Sequence, residues 1–492
     1  MQKKISKFNF INSFLENVKK YPNNTFLVSD EEKIKYREFF DLCKKFKDYL
    51  VAHSGKKAPI VCIYETKKNF DYVSMIGTIL AGGHYIPINK SIPIEKVKKI
   101  LKVSKANFFS SSEIDKNIKQ KLKKKIIFLT RDTILKKIKS KKKKYLPSKI
   151  AYILFTSGTT GEPKGVIITK KNLNIYLKWL TNTINIKNNE HCSQFISISF
   201  DVSVCDFYLT ICSGGKLFIP NEFDMIFPGK MIFKNYISYL VCTPSLIDHI
   251  DNSNDLNKKN FKNVKKILFC GEPLFEKQVK KIFSVNSKIK IINAYGPTET
   301  TVSVTYSQIN KQNYKKLSNG IMSIGKVIDN TKIILVNDKL QINKHEGEIL
   351  ISGMQLSPGY LSQISETKKK FIKINGTRYF RTGDFGFKFK DNLYFKQRID
   401  DQIKFRGHRI ELNEINFFLR EFGLNNVYTN IYNNEIISFI QHHKIDIKQI
   451  KNYLKNKLEK YKIPNTFIFI KKFPLNKSGK IDINKIKLLV NK

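Results

Sequence analysis

The sequence predicts an α/β protein in two parts: a large N-terminal domain of layered sheets and helices over residues 1–398, and a small α+β domain over 399–492. Three observations carry this. Short apolar runs alternate with helical patterns from residue 26 to about 112, the alternation of a layered sheet. Further apolar runs at 266–269 and 289–292 are each followed by Gly or Pro turns. After Arg398, a stretch of about 90 residues carries strand and helix patterns of its own, enough to pack as a separate domain.

Taken in order, residues 1–20 form an amphipathic helix, with Ile5, Phe8, Ile11, Phe14, Leu15 and Val18 on one face. They contain no uninterrupted apolar segment of the signal-peptide kind. Residues 59–64 are a strand, 70–81 a helix, and 85–88 a strand after the turn Gly82-Gly83. The stretch 116–144 is the most basic. Its lysine runs, 123–125 and 141–144, flank a strand at 126–129 and belong to solvated surface. A buried strand at 150–155 leads into a loop rich in Gly, Ser and Thr and then the strand 166–169. In the small unit, helices are expected at 412–422 and 447–458 and strands at 436–441 and 466–470.

The chain has 492 residues, 41% hydrophobic and 12% aromatic, which excludes wholesale disorder and a small stapled scaffold. Its 89 Lys and Arg against 41 Asp and Glu give a formal charge of +48. Such a field attracts nucleic acid, anionic lipid, nucleotides or an acidic protein, and a Lys-rich composition alone also produces it. The seven cysteines form no C-x-x-C pair, so reduced thiols in a cytoplasmic setting are expected, without a zinc site. No stretch is long and apolar enough to be membrane-embedded.

The loop is Thr156-Ser-Gly-Thr-Thr-Gly-Glu-Pro-Lys-Gly165. Four hydroxyls, three glycines and a lysine in ten positions suit phosphate oxygens, because glycines let backbone amides approach while hydroxyls and ammonium add donors. The Walker A spacing fails at Pro163. From here the sequence resembles the superfamily of acyl- and amino-acid-adenylating enzymes. Further matching segments follow in that family's order: Phe200-Asp-Val-Ser203, Asn293-Ala-Tyr-Gly-Pro-Thr-Glu299, Gly347 to Gly353 with Gly359-Tyr-Leu361, Arg381-Thr-Gly-Asp384, Arg398 to Arg409, and Ser478-Gly-Lys480.

That resemblance implies ATP and Mg²⁺ as cofactors and distributes the site. Thr156, Ser157, Gly158, Thr159, Thr160, Gly161 and Lys164 would hold phosphates. Thr298 would touch phosphate, and Glu299, a hard carboxylate beyond a strand end, would hold the metal. Asn293, Ala294, Tyr295, Gly296 and Pro297 would border the nucleotide, with Tyr295 stacked on adenine. Asp384 would grip both ribose hydroxyls, and Arg398 would reach the nucleotide. Lys480 would be the catalytic lysine, bridging the substrate carboxylate and the α-phosphate. Asp400 would be the hinge on which the small domain, mobile in this family, swings between two poses. The chain departs from the pattern at Ser478, Gln397 and Phe380, where Asn, Gly and Tyr are usual.

Asp201 selects among acids, because a carboxylate in an apolar pocket is costly unless it meets a cation such as a substrate ammonium. A narrower resemblance, to stand-alone D-alanine:carrier-protein ligases, rests on Ile267-Leu-Phe-Cys-Gly-Glu272, Thr243-Pro-Ser245 and Thr301-Val-Ser-Val-Thr305. It implies that Cys270 and Val302 shape a pocket for D-alanine and that Gly271 and Glu272 line the adenine. It also implies a separate phosphopantetheinylated acyl carrier protein as acceptor and no nucleic-acid partner. The alternatives are a free-standing adenylation enzyme of the nonribosomal peptide type for another small amino acid, and a basic nucleic-acid-binding protein on a disused ligase fold.

Overall fold

The computed structural model describes residues 8–122, 126–138, 142–156, 162–390, 392–405, 407–442, 445–474 and 482–490. Ile5 and the lysine run 123–125 therefore lie outside the described residues. The first helix, Phe10–Lys20, starts where the Asn9 side chain accepts the Ile11 amide hydrogen, and it buries Phe10, Phe14 and Val18. Among the described residues the helix starts later than expected, with Phe8 and Asn9 ahead of it, and Ile11, Phe14, Leu15 and Val18 of the expected stripe form its inward face.

Among the described residues, one sheet sets Thr25–Val28, Lys216–Phe218, His191–Ser193, Tyr239–Cys242, Lys266–Phe269 and Lys290–Tyr295 side by side and parallel. Lys33–Lys35 closes one edge antiparallel, and Thr305–Ile309 then Lys326–Val327 close the other. A second sheet runs Ile127–Leu129, Phe108–Ser110, Ile60–Tyr64, His84–Ile88 and Ile150–Thr156 in parallel, ending on antiparallel Lys164–Thr169. Successive side chains on a strand point to opposite faces, so these strands serve two cores. Tyr239 and Val241 join the cluster between the two sheets, while Leu240 and Cys242 join the cluster on the far side. Val61 and Ile63 face the shared core in the same way, and Cys62 faces the outer one. That is why central strands such as Tyr239–Cys242 and Ile60–Tyr64 read as unbroken apolar runs. Helices Phe10–Lys20, Tyr36–His53, Asn69–Ala81, Lys170–Ile184 and Val204–Ser213 fill the space between. Asn69–Ala81 stops at Gly82, whose φ of 85° lets the chain reverse into the next strand.

A third, antiparallel sheet contains Glu346–Gly353, Thr377–Phe389 and Asn392–Arg398, and its register places Asp384 opposite Arg398. Beyond it come a hairpin, Gln402–Phe405 with His408–Glu411, the helix Leu412–Glu421, the pair Val427–Tyr432 and Glu435–Gln441, and the helix Ile447–Lys455. Thr466–Ile470 then adds parallel to Glu435–Gln441. These elements share a core of Ile410, Ile415, Leu419, Ile440 and Leu454. The helix expected to reach 458 ends at Lys455, where the Asn456 amide turns to the Tyr453 carbonyl. The hairpin 402–411 has no counterpart among the elements expected from the sequence. No helix among the described residues is long and apolar enough to cross a membrane.

Candidate active site

The loops that leave the carboxyl ends of the first sheet's parallel strands converge, which is where open α/β sheets form their crevices. Tyr239–Cys242 delivers Thr243, Lys266–Phe269 delivers Cys270 to Glu272, and Lys290–Tyr295 delivers Gly296 to Glu299. Thr156 arrives from the second sheet, and Asp201 opens the short turn before Val204–Ser213. A cavity forms there, walled by Asp201, Cys270, Thr298, Asp384, Arg398 and Arg409, with Gly296 and Pro297 also on its lining. A neighbouring cavity of about 420 Å³ shares Gly271, Asp384 and Arg398 with it and is bounded by Glu272, Asn293, Ala294 and Tyr295.

Glu299 is fully buried, yet its carboxylate is compensated. Arg409 Nη1 lies 3.3 Å from Oε1 and 3.1 Å from Oε2, and the Tyr360 hydroxyl donates to Oε1 at 2.8 Å. Burial opposes ionisation most, but the guanidinium charge together with hydrogen bonds from Glu299's own amide, Tyr360 and Arg409 holds the carboxyl below its ordinary range. Asp384 accepts from Tyr295 Oη at 2.6 Å and from Arg398 Nη1 at 2.7 Å. Arg398 extends this chain to both oxygens of Asp400, at 2.8 and 2.6 Å, and to Gln402 Oε1 at 2.7 Å. The turn at Gly383 has φ of 74°, and a Cβ there would stand 2.6 Å from Asp400 Oδ2, so glycine is what allows this approach.

Asp201 behaves differently. Burial raises its carboxyl to about 6, opposed by a hydrogen bond from Thr298 and by the charges of Lys404 and Arg409. Burial likewise pushes the Cys270 thiol up to about 12, so it is neutral sulfur that borders the cavity. Glu272 accepts from the Ser245 amide at 3.0 Å, from the Ser245 hydroxyl at 3.1 Å and from the Gly407 amide at the hairpin tip. Next to that tip, His408 stacks on Tyr461 at 3.7 Å, with Phe200 at 5.1 Å. Burial, reinforced by Lys462, lowers the imidazole to about 4 and keeps it neutral.

The remaining expected residues separate into three groups. Lys164 Nζ pairs with Glu366 Oε2 at 2.7 Å, and Asn293 Nδ2 donates to the Ser323 carbonyl at 2.9 Å. Val302 is fully buried in the central cluster that also contains Cys270. Ser157, Gly158, Thr159, Thr160, Gly161, Ser478 and Lys480 lie outside the described residues. Sequence reasoning assigned no role to Arg409, Tyr360, Gln402 or Glu366. Arg409 and Tyr360 belong to recognised segments, but no local spacing ties them to Glu299, 110 and 61 residues away.

The match to the AMP-binding enzyme family spans residues 14–361, which include Thr156, Asp201, Cys270 and Glu299. The chain belongs to the AMP-binding enzyme family. As a member it is an AMP-forming ligase. Among its relatives is the D-alanine--D-alanyl carrier protein ligase of Staphylococcus epidermidis, 31% identical over 506 residues, or 98% of this chain and 99% of the relative. The ligase of the same name from Bacillus licheniformis is 29% identical over 511 residues, covering 96% and 98%. Gramicidin S synthase 1 of Brevibacillus brevis is 28% identical along 95% of this chain and 43% of its own length. In solved form, the Vibrio cholerae adenylation domain AlmE in complex with glycyl-adenosine-5'-phosphate shares the fold, with a TM-score of 0.86 at 20% identity over 100% of this AMP-binding enzyme.

No group of three or more His, Cys, Asp or Glu is placed to hold a metal among the described residues. A magnesium ion bound to nucleotide needs less: one or two carboxylates, phosphate oxygens and water. Glu299, an ionised hard oxygen donor next to Thr298 in this AMP-binding enzyme, has the chemistry for that requirement once Arg409 no longer occupies its oxygens.

Proposed function

We propose that this ligase activates D-alanine as D-alanyl-adenylate and passes the aminoacyl group to the phosphopantetheine thiol of a separate carrier protein. The first step joins a carboxylate oxygen of the amino acid to the α-phosphorus of ATP and releases pyrophosphate. The second joins the carbonyl carbon to sulfur and releases AMP. The observation that carries the reading is Asp201, a carboxylate raised to about 6 by burial on the wall of the cavity that Cys270 also borders. Lys404 and Arg409 act on it from a distance, but no cation lies within ion-pair reach of Asp201 among the described residues; a substrate ammonium would supply one, which favours an amino acid over a fatty or aryl acid.

Around it the roles follow from position. Asp384, set by Tyr295 and Arg398, faces both cavities and offers oxygens to vicinal ribose hydroxyls. Asn293, Ala294, Gly271 and Glu272 border the larger cavity, where adenine fits. Cys270 on the wall limits room beside the amino-acid side chain, and Val302 belongs to the buried cluster behind that wall. Glu299 would hold Mg²⁺, which when bound neutralises phosphate charge in the first step. In the pose described here Arg409 is the cation on Glu299, and Arg409 belongs to the hairpin 402–411. Adenylation with metal on Glu299 therefore requires that hairpin to withdraw. The reading is that residues 399–492 move about Asp400, bringing Lys480 to the reacting centre for the first step and the hairpin for the second.

The experiment is amino-acid-dependent exchange of pyrophosphate into ATP across D-alanine, L-alanine, glycine and D-serine, followed by transfer to a phosphopantetheinylated carrier. D-alanine should give the highest kcat/KM. A preference for another small amino acid would keep the adenylation reading and replace the substrate. Exchange with none of them would overturn both.

A further inference from the structure

A second charged cluster starts at the edge of the Asp201 cavity, where Glu459 and Lys462 line it, and ties the two parts of the chain together through Lys96 and Glu414. Lys96 Nζ lies 2.8 Å from Glu414 Oε1 and 2.9 Å from Glu459 Oε1. Lys462 Nζ lies 2.8 Å from Glu414 Oε2 and 2.7 Å from Glu459 Oε2. Two ammonium groups and two carboxylates thus close a ring of alternating charge, and all four side chains are buried. Lys96 sits on helix Ile94–Ser104 of the large part, 318 and 363 residues from its partners in sequence. The other three belong to 399–492 and without Lys96 carry a net charge of minus one. Burial works against the Glu459 carboxylate, while Lys462 and Lys96 hold it below its ordinary range.

We infer that Lys96 is a positioning residue for the transfer step, latching residues 399–492 in the pose that keeps the hairpin 402–411 in the site. The link from latch to hairpin is direct. Tyr461, between Glu459 and Lys462, stacks on His408 one residue past the hairpin tip, and Glu459, Tyr461 and Lys462 line the same cavity as Gly407 and Arg409. A swing of residues 399–492 about Asp400 takes Glu414, Glu459 and Lys462 away from Lys96, so the ring belongs to this pose. In this pose the ring compensates all four buried charges, and removing Lys96 alone leaves two buried carboxylates with one ammonium, so its loss weighs against this pose. The inference rests on the two-step reading above.

The test compares wild type, Lys96→Met and Lys96→Arg in the two half-reactions and in shape. Lys96→Met should cut single-turnover transfer from preformed aminoacyl-adenylate to pantetheine by about tenfold or more, while pyrophosphate exchange stays within about twofold. Lys96→Arg should restore most of the transfer, and X-ray scattering of the full chain should show Lys96→Met with a changed distance distribution. Glu414→Gln, which keeps the shape and removes one charge away from the cavity lining, repeats the comparison if Lys96→Met fails to fold. Equal losses in both half-reactions, or none in either, would overturn the latch. If the wild type exchanges pyrophosphate with no amino acid, the functional reading falls, and scattering still decides the latch. A shape unchanged by Lys96→Met then sinks it, and a changed one supports it.

Discussion

The raised Asp201 carboxyl makes amino-acid binding depend on pH in a direction and size that can be worked out. In the unliganded site this group titrates at about 6, so it is ionised above that pH and neutral below it. A substrate ammonium needs the ionised form. The value of kcat/KM reports titration of the free enzyme, so KM for the amino acid should scale as one plus ten to the power of 6 minus pH. KM is then nearly flat above pH 7 and about tenfold higher at pH 5 than at pH 8. Asp201→Asn keeps the shape and removes the charge. At pH 8 it should cost a charge-assisted contact of about 1.5–3 kcal/mol, or roughly 10- to 150-fold in KM. It should also abolish the dependence below pH 7. The assay is pyrophosphate exchange at saturating ATP from pH 5 to 8, with the KM for ATP as internal control and circular dichroism confirming the fold at each pH. A KM that stays flat through pH 6, or a dependence that survives in Asp201→Asn, would refute the pairing of this carboxylate with the substrate.

Cys270→Ala removes a neutral sulfur from the cavity wall and no charge, so it should shift the ratio of kcat/KM for L- over D-alanine upward by a contact worth about 1–3 kcal/mol. An unchanged ratio would take Cys270 out of substrate selection. Gly383→Ala places a methyl against Asp400 at a left-handed backbone position and should raise the KM for ATP by displacing the Arg398–Asp384 pair, while an unaltered KM would separate that chain from nucleotide binding. Lys480→Ala should abolish adenylation while ATP still binds in equilibrium dialysis, and equal losses of both would contradict its assigned role.

How much of this was legible in the sequence depended on how far apart the cooperating atoms lie along the chain. The strand at 466–470 and the helix ending before Gly82 follow from local periodicity and a local stop signal, and both occur in the structure. Asp384 was singled out because the four consecutive residues Arg381-Thr-Gly-Asp384 resemble a family segment; a Gly-Asp turn by itself is too common to mark a site. Arg409 on Glu299, Lys164 on Glu366 and Lys96 on Glu414 bridge 110, 202 and 318 residues. Among so many lysines, nothing in the residues around Lys96 sets it apart from a solvated one. Its partners are brought to it only by the packing of the two parts, which local pattern does not encode. The hairpin 402–411 escaped for a related reason. Its two short strands bury little apolar surface except against the rest of the molecule, so their alternation is faint.

The double-faced strands of the first sheet carry a consequence for how this sequence can drift. In a sheet with one wet face, sliding a strand by one residue would drive polar groups into the interior, and polarity alone would forbid it. Here such a slip would exchange Tyr239 and Val241 with Leu240 and Cys242, oily for oily, and the interior would register no change in polarity. Alignment must come from volume: a tyrosine ring fits the space between the sheets and a cysteine does not replace it. Substitutions along these strands should therefore be tolerated according to size and shape, with bulk traded between neighbouring strands far more readily than large for small at one position.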